Sequence, residues 1–193
     1  MLPLVFYILA NMLIVGFFAV EHFCRRDVDA KNMSREKSDR GSTTLISVAM
    51  TAAFILIPLS PLIHNTQFAN FWLPWLGFVG AMLGVSGLIL RYFALTTLGR
   101  FFTRTLRETK KHQLVTTGIY QYIRHPGYLS DILIFLGAGF LTQNFLVMGI
   151  IAISFAAAYS YRIKTEEKML KEIFPHEYAK YQKTSKRLVP FVF

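Results

Sequence analysis

Three long apolar runs dominate the first half of the chain, at Leu2 to Val20, Leu45 to Ile63 and Trp72 to Ala94. An α-helix rises about 1.5 Å per residue, so about 20 such residues cross a hydrocarbon core of roughly 30 Å. Because no basic stretch precedes the first run, we expect it to be retained as a helix rather than removed as a signal peptide. The pattern predicts three membrane-spanning helices, over residues 2–22, 43–64 and 72–95.

Two shorter apolar runs, Tyr128 to Leu141 and Phe145 to Tyr161, flank the polar turn Thr142 to Asn144 and predict a helical hairpin. The first arm is roughly 21 Å long, so it is too short to cross a bilayer unless the preceding loop also lies against the membrane. The sequence thus predicts a single all-α polytopic membrane domain over residues 1–193, with five spans. The last two spans cover residues 128–141 and 145–161, and the other segments are 23–42, 96–127 and 162–193.

Four glycines recur along the third run at helical spacing, at Gly77, Gly80, Gly84 and Gly87. Small residues at this spacing form a flat face on which another helix packs closely. The chain contains neither G-x-G-x-x-G nor G-x-x-x-x-G-K-[ST], the glycine-rich motifs that bind phosphate ahead of a helix. We therefore expect helix packing at this face and no Rossmann fold.

The basic residues alternate between the predicted loops. All 21 Lys and Arg residues lie in 23–42, 96–127 and 162–193 or at Arg91, near the end of the third span, whereas residues 65–71 and 142–144 contain none. Loops rich in Lys and Arg stay in the cytoplasm. This pattern predicts an N-terminus outside the membrane and a C-terminus in the cytoplasm, with 23–42, 96–127 and 162–193 as the cytoplasmic segments.

The composition excludes several classes of partner. The chain is 53% hydrophobic and 17% charged, with a formal net charge of +10. Such a charge can indicate nucleic-acid binding, but here the loop pattern accounts for it, so we expect no nucleic-acid partner. Cys24 is the only cysteine, which excludes an internal disulfide and a cysteine-rich zinc site, and no metal is expected.

Chemically useful side chains concentrate in two predicted cytoplasmic stretches, Gly99 to Gly127 and Arg162 to Phe193. Both stretches are predicted on one side of the membrane, and both combine aromatic, imidazole and charged groups. A cofactor pocket built where they meet would suit a ligand with a flat ring, hydroxyls and a carboxylate.

These two stretches also carry a resemblance to a known family, in five elements that follow one another in order. The elements are His112-Gln113-Leu114-Val115-Thr116-Thr117-Gly118-Ile119-Tyr120, Arg124-His125-Pro126-Gly127-Tyr128, Arg162 with Thr165-Glu166-Glu167, Glu177-Tyr178-x-x-Tyr181, and Val189-Pro190-Phe191. The chain resembles the isoprenylcysteine carboxyl methyltransferase family over Gly99 to Phe193, and within it a small prokaryotic member. One departure is Ser130, where family members usually have a glycine, and its side chain would narrow a close backbone approach.

The resemblance implies an integral membrane methyltransferase that uses S-adenosylmethionine, leaves S-adenosylhomocysteine and methylates a lipophilic acceptor entering from the lipid bilayer. The favoured acceptor is a carboxylate such as that of an isoprenylated cysteine. Carried over by motif, the catalytic residues are Arg162, facing the acceptor, and Glu166. The cofactor-binding residues are His112, Gln113, Leu114, Val115, Tyr120, His125, Pro126, Gly127, Tyr128 and Glu166.

Simple chemistry assigns roles to some of these residues. Arg162 and Glu166 are four apart and share a helical face if the last span continues into the cytoplasm. Glu166 could then accept hydrogen bonds from the hydroxyl or amino groups of the cofactor, while the Arg162 fork holds a carboxylate. A carboxylate is ionised at neutral pH and needs no general base. An amine or phenol would need one, with His125 or Glu167 as candidates.

Three further residues are possible contributors, Arg124, Glu167 and Asp131. Asp131 is a carboxylate well inside a predicted span, where such groups are costly and face a cavity or a partner. We expect it near the pocket, as a ligand of cofactor or substrate or in a buried hydrogen bond.

Each assignment has a structural alternative. Arg124 and His125 could form a basic interfacial turn, Arg162 and Glu166 an exposed ion pair, and Tyr178 with Tyr181 a packing stripe. A membrane reductase that uses NADPH and a small transporter or receptor remain alternative functions. Few polar residues line the predicted spans, which argues against transport.

Overall fold

The computed structural model describes residues 2–24, 41–63, 73–99 and 114–188. Within these ranges the secondary structure is helical, with six α-helices and two short 3₁₀ turns. The helices are α1 (Leu2–Cys24), α2 (Ser42–Leu59), α3 (Pro74–Leu98), α4 (Pro126–Leu141), α5 (Phe145–Ile173) and α6 (Pro175–Thr184), and the 3₁₀ turns are Ser60–Ile63 and Gly118–Gln121.

Four helices are long and apolar enough to cross a membrane: α1, α2 with its 3₁₀ extension, α3 and α5. The prediction of an all-α integral membrane protein is therefore confirmed over the described residues. The α4 helix has 16 residues, or roughly 24 Å, and is shorter than the other four. Its crossing, the count of five spans and the limits of each span stay predictions.

Large apolar side chains cover the outside of these helices. Leu4 and Val15 of α1, Met82 and Phe93 of α3, and Ile153 of α5 are all exposed. A continuous coat of such side chains on a water-soluble protein would drive aggregation, whereas in a membrane it contacts lipid. These exposed apolar side chains therefore agree with the 53% hydrophobic composition, which also indicates a membrane protein.

The α4 and α5 helices pack antiparallel. The Phe135 and Phe155 rings lie 5.0 Å apart, and Asp131, one turn earlier in α4, accepts a hydrogen bond from Tyr159, one turn later in α5. Between the helices, the Asn144 side chain accepts hydrogen bonds from the amides two and three residues on and caps α5. This cap satisfies amide groups that the start of a helix otherwise leaves without partners.

Polar groups from five helices meet at one end of the bundle. Arg91, near the end of α3, contacts Glu21 at the end of α1 and the carbonyl of Gly127 at the start of α4. Arg162 of α5 contacts Ser42 at the start of α2. We call this end of the bundle, defined by these five residues, the polar end.

The opposite end is held by different contacts. The Tyr7 hydroxyl of α1 donates to the Pro58 carbonyl of α2, and the Leu73 amide before α3 donates to the Gln143 side chain after α4. The start of α1 therefore lies beside the end of α2, and the start of α3 beside the end of α4. The helices α1 to α5 thus run in alternating directions through the bundle.

The glycine face of α3 packs against its neighbours, as its spacing predicts. A Cβ atom built on Gly137 of α4 would lie 2.5 Å from the Gly80 carbonyl oxygen, so the two backbones touch. Gly87 contacts α4 as well, while Gly77 and Gly84 receive side chains of α1. Larger residues would force these helices apart and would move α4, whose first turn carries the motif residues.

Candidate active site

The segment before α4 turns sharply and starts the helix at Pro126, which suits the first helical position because it lacks an amide hydrogen. The His125 carbonyl accepts hydrogen bonds from the amides of Tyr128 and Leu129, each 3.1 Å long. The buried His125 ring stacks on the Tyr128 ring, with centroids 5.4 Å apart and planes at 10°. The motif therefore presents two layered aromatic rings at the polar end.

The chain that follows α6 pairs with this turn through backbone hydrogen bonds. The Arg124 amide donates to the Lys186 carbonyl (2.8 Å), and the His125 amide donates to the Arg187 carbonyl (3.2 Å). In the other direction the Lys186 amide donates to the Tyr122 carbonyl (2.9 Å). We call this pairing of residues 122–125 with 186–187 the C-terminal clasp. The two stretches that the sequence singles out are thus brought together.

Two tyrosines of α6 are buried, and one of them contacts the segment that leads into the clasp. Tyr178 and Tyr181 are both buried, and the Tyr181 hydroxyl donates to the Tyr120 carbonyl over 2.5 Å. Burial raises the pKa of Tyr181 to about 12 and also raises the pKa of Tyr178, so both hydroxyls are neutral at physiological pH. The burial of both side chains agrees with the packing-stripe interpretation, and the interfacial position of their helix stays a prediction.

A short row of hydrogen bonds links α4 with α5 at the polar end. The Tyr128 hydroxyl donates to Oε2 of Glu166 (2.5 Å) and accepts from Nε of Arg162 (2.9 Å). The α5 helix continues to Ile173, which places Arg162 and Glu166 on one face, four residues apart. Arg162 is only 3% exposed, so the alternative of an exposed Arg162–Glu166 ion pair is wrong.

Arg162 also reaches the start of α2. Its Nη1 donates to the hydroxyls of Ser42 (2.9 Å) and Thr43 (3.0 Å). Neither residue was predicted from the sequence, although a Ser-Thr-Thr run that opens an apolar stretch is a usual sign of a helix start. Three helices thus converge on one guanidinium group.

Glu167 lies on the neighbouring face of α5 and is 4% exposed. Its Oε1 accepts from Nε of Arg124 (3.1 Å) and lies 3.4 Å from Nε2 of His125, while its Oε2 accepts from Nη2 of Arg187 (2.9 Å). The Arg124 side chain also donates to the Ser185 carbonyl. The turn ahead of a helix that the structural alternative predicted is present, but the Arg124 side chain is only 9% exposed and lies against the clasp rather than extending to the membrane surface.

Asp131 lies one turn beyond Tyr128 and has two partners on other helices. Its Oδ1 is 2.8 Å from Nη1 of Arg91, and its Oδ2 accepts from the Tyr159 hydroxyl over 2.7 Å. Arg91 in turn contacts Glu21. The sequence analysis predicted a buried role for Asp131 but no partner for it: Arg91 was noted only as the basic residue near the end of the third span, and Glu21 was not singled out.

The remaining predicted residues occupy a range of environments. Leu114 and Val115 are half-buried, and Tyr120 and Pro126 are buried. His112 and Gln113 lie outside the described residues.

Ser130 is fully buried, and its hydroxyl donates to the Gly127 carbonyl (2.6 Å) while its own carbonyl faces Gly87 of α3. Ser130 therefore belongs to the contact between α3 and α4 rather than to the face of α4 that carries Tyr128. Among the described residues no three His, Cys, Asp or Glu side chains are grouped to hold a metal ion.

Comparison with known proteins identifies the family. A model of the isoprenylcysteine carboxyl methyltransferase (ICMT) family matches residues 80–172. The protein-S-isoprenylcysteine O-methyltransferase A of Arabidopsis thaliana is 30% identical over 164 residues, which cover 78% of this chain and 80% of the relative. The chain belongs to the ICMT family. The resemblance drawn from the five motif elements is confirmed.

Two further matches place this ICMT-family chain among longer proteins. The protein-S-isoprenylcysteine O-methyltransferase B of Arabidopsis thaliana is 37% identical over 124 residues, and the chain spans 61% of that relative's length. The solved structure of the eukaryotic intramembrane Ras methyltransferase ICMT superposes with a TM-score of 0.61 at 22% identity, covering 95% of this chain and 68% of that one. The bundle described above is therefore an ICMT-type fold.

Proposed function

We propose that this chain is an S-adenosylmethionine-dependent methyltransferase that acts at the polar end on a lipophilic acceptor. The observation that carries the proposal is the hydrogen-bonded row of Glu166, Tyr128 and Arg162, beside the stacked His125 ring. These are the residues to which the family motifs assign the donor and acceptor sites. The names of the relatives support the same activity.

The groups around Glu166 fit such a donor. Oε2 of Glu166 is bound by Tyr128, whereas no hydrogen bond reaches Oε1 from the part of the chain that the structure describes. An ionised carboxylate oxygen is a strong acceptor for hydroxyl and amino groups, which the donor carries on its ribose and amino-acid portions. The His125 and Tyr128 rings add aromatic contact for adenine. When bound, the donor supplies a methyl group on a sulfonium, whose charge disperses as the methyl is transferred in line.

The protein's own contribution is to align the reactants and exclude water. Arg162 is held by Tyr128 on one side and by Ser42 and Thr43 on the other, so its fork is fixed in direction. Carboxylates bind well to such a fork, and the hydroxyls at the start of α2 can donate to the same anion. This arrangement favours a carboxylate acceptor, such as that of an isoprenylated cysteine.

A carboxylate acceptor also fits the site because its methylation needs no general base. Such a group is already ionised, so no side chain has to remove a proton before methyl transfer. An amine or phenol acceptor would require a base, and Glu167 is already bound by Arg124 and Arg187. His125 would then be the remaining candidate for that role.

We also propose that the polar end faces the cytoplasm, with the N-terminus outside and five spans. The alternating direction of the helices supports this topology, because it puts the ends of α1 and α3 and the starts of α2 and α4 on one side. In the sequence, most of the basic residues stand between α1 and α2, between α3 and α4, and after Tyr161, so the positive-inside rule favours the cytoplasm for the polar end.

Purified protein in detergent tests the donor site by its thermal shift with S-adenosylhomocysteine, since a ligand specific to the folded state raises the unfolding temperature. Glu166→Gln should abolish the shift, while Glu172→Gln, at an exposed position of the same helix, should preserve it. Incubation with methyl-labelled donor and a lipid extract then identifies the acceptor. No shift for the unaltered protein, or a shift with NADPH instead, would refute the methyltransferase proposal.

A further inference from the structure

Arg91 of α3 contacts both α1 and α4 beside the proposed site, although none of the motif elements includes it. The side chain is buried, with 5% of the residue exposed. Its Nε donates to Glu21 of α1 (3.0 Å), and its Nη1 donates to the Gly127 carbonyl of α4 (3.0 Å) and lies 2.8 Å from Oδ1 of Asp131. A guanidinium group placed this deep among apolar helices needs such partners, because an unpaired charge there is very costly.

The contact with the Gly127 carbonyl is informative because of its position in α4. Gly127 is the second residue of the helix, immediately before Tyr128. The same carbonyl also accepts from the Ser130 hydroxyl (2.6 Å), so two side-chain donors hold one peptide group in the first turn. That peptide group joins Gly127 to Tyr128, so its orientation sets the direction in which the Tyr128 side chain projects from the helix.

A second route from Arg91 reaches the Tyr128 ring. Asp131, which pairs with Arg91, accepts from the Tyr159 hydroxyl, and the Tyr159 ring lies 5.3 Å from that of Tyr128 at 43°. Tyr128 is therefore supported through its backbone by one contact of Arg91 and through its ring by another. Stability of the bundle alone would require that the charges be paired, but not that both contacts converge on one residue.

We propose that Arg91 is a positioning residue, which fixes the first turn of α4 and so holds the Tyr128 hydroxyl between Glu166 and Arg162. The proposal rests on the proposed function for its effect on catalysis. In this role Arg91 touches neither the methyl donor nor the acceptor. It acts through Gly127 and through the pair of Asp131 and Tyr159.

Arg91→Lys tests this role, because a single ammonium keeps the charge but cannot span Glu21 and Gly127 together. Small displacements of aligned groups cost roughly tenfold to a hundredfold in rate, so kcat should fall by about that factor. In a double-mutant cycle with Tyr128→Phe, the two changes should be strongly non-additive, since both act on one hydroxyl. Asp131→Asn, which keeps a partner for Tyr159, provides a second and milder variant.

Val147→Ala is the matched control, because it opens a cavity at a fully buried position near the start of α5, remote from the polar end. A kcat loss equal to that of Arg91→Lys at the same loss of thermal stability would show a merely structural role. Additive effects in the cycle would overturn the proposal as well.

Hydrogen exchange of the peptide covering residues 125–131 keeps the two proposals separate. Faster exchange there in Arg91→Lys, and not in Val147→Ala, is expected whether or not the protein transfers methyl groups. If the unaltered chain neither binds S-adenosylhomocysteine nor methylates lipid, the proposed function fails. If exchange in this peptide is unchanged by Arg91→Lys, the positioning role of Arg91 fails.

Discussion

One carboxylate of α5, Glu167, binds both segments of the C-terminal clasp, and Glu167→Gln tests how much it stabilises the clasp. Glu167 is buried and accepts hydrogen bonds from Arg124 and Arg187, one in each of the two segments that form the clasp. The change to glutamine keeps the size of the side chain but removes its charge, and it turns one acceptor oxygen into an amide donor. Two guanidinium groups then lose the carboxylate that they share.

The expected magnitude follows from the burial of the partners. Removing one member of a buried ion pair costs about 3–5 kcal/mol, and a pair at the surface contributes about 1 kcal/mol or less. The Arg124 side chain is 9% exposed and that of Arg187 is 32% exposed, so the second interaction is partly screened by solvent. The remaining oxygen of glutamine can still accept one bond. We therefore expect the clasp to lose about 2–4 kcal/mol of local stability.

Hydrogen exchange measures this loss directly, because the clasp is closed by backbone amides. The amides of Arg124, His125 and Lys186 are hydrogen-bonded across it. A loss of about 2–4 kcal/mol corresponds to exchange that is about 30-fold to 1000-fold faster at these amides. The helical amides of α1 should be unaffected, and so should the clasp in Glu172→Gln. Unchanged exchange at Lys186 in Glu167→Gln would refute the view that this carboxylate holds the clasp.

Two further predictions concern the bundle and its orientation. Gly137→Ala should lower the unfolding temperature in detergent, since its Cβ would lie 2.5 Å from a carbonyl oxygen of α3, and overpacking costs about 1–3 kcal/mol; Gly149→Ala, with nothing within 4 Å of the added Cβ, should not. Equal effects of the two changes would contradict the backbone contact described for α3 and α4. For orientation, Thr184→Cys in a chain whose Cys24 is replaced by serine should react with a membrane-impermeant maleimide only from the cytoplasmic side of sealed vesicles. Reaction from the outer side would reverse the proposed topology.

The sequence predicted the helices well because each one carries a local signal. The apolar runs set their lengths, Pro126 and the Thr142 to Asn144 turn set two of their boundaries, and the glycine face indicated close packing. The pairing of the two polar stretches also followed, since both stood on one side of the predicted topology.

The partners within the site could not be predicted in the same way. Arg162 meets Ser42 across 120 positions of sequence, and Arg91 meets Glu21 across 70. No periodicity links residues so far apart, because the contact depends on how whole helices pack. The burial of Arg91 was also hard to predict, because a basic residue near the end of a span is usually attributed to the membrane surface. The length of α5 beyond Tyr161 was left open for a related reason, since charged residues can either end a span or continue its helix.

The position of Arg91 between Glu21 and Asp131 also bears on how the chain is made. Along the chain, Glu21 of α1 precedes Arg91 of α3, which precedes Asp131 of α4 and Tyr159 of α5. If these helices insert in the order of synthesis, Arg91 meets a carboxylate on a helix that is already inserted, and Asp131 then meets an inserted cation. Insertion in that order leaves neither Arg91 nor Asp131 as an unpaired ion in lipid.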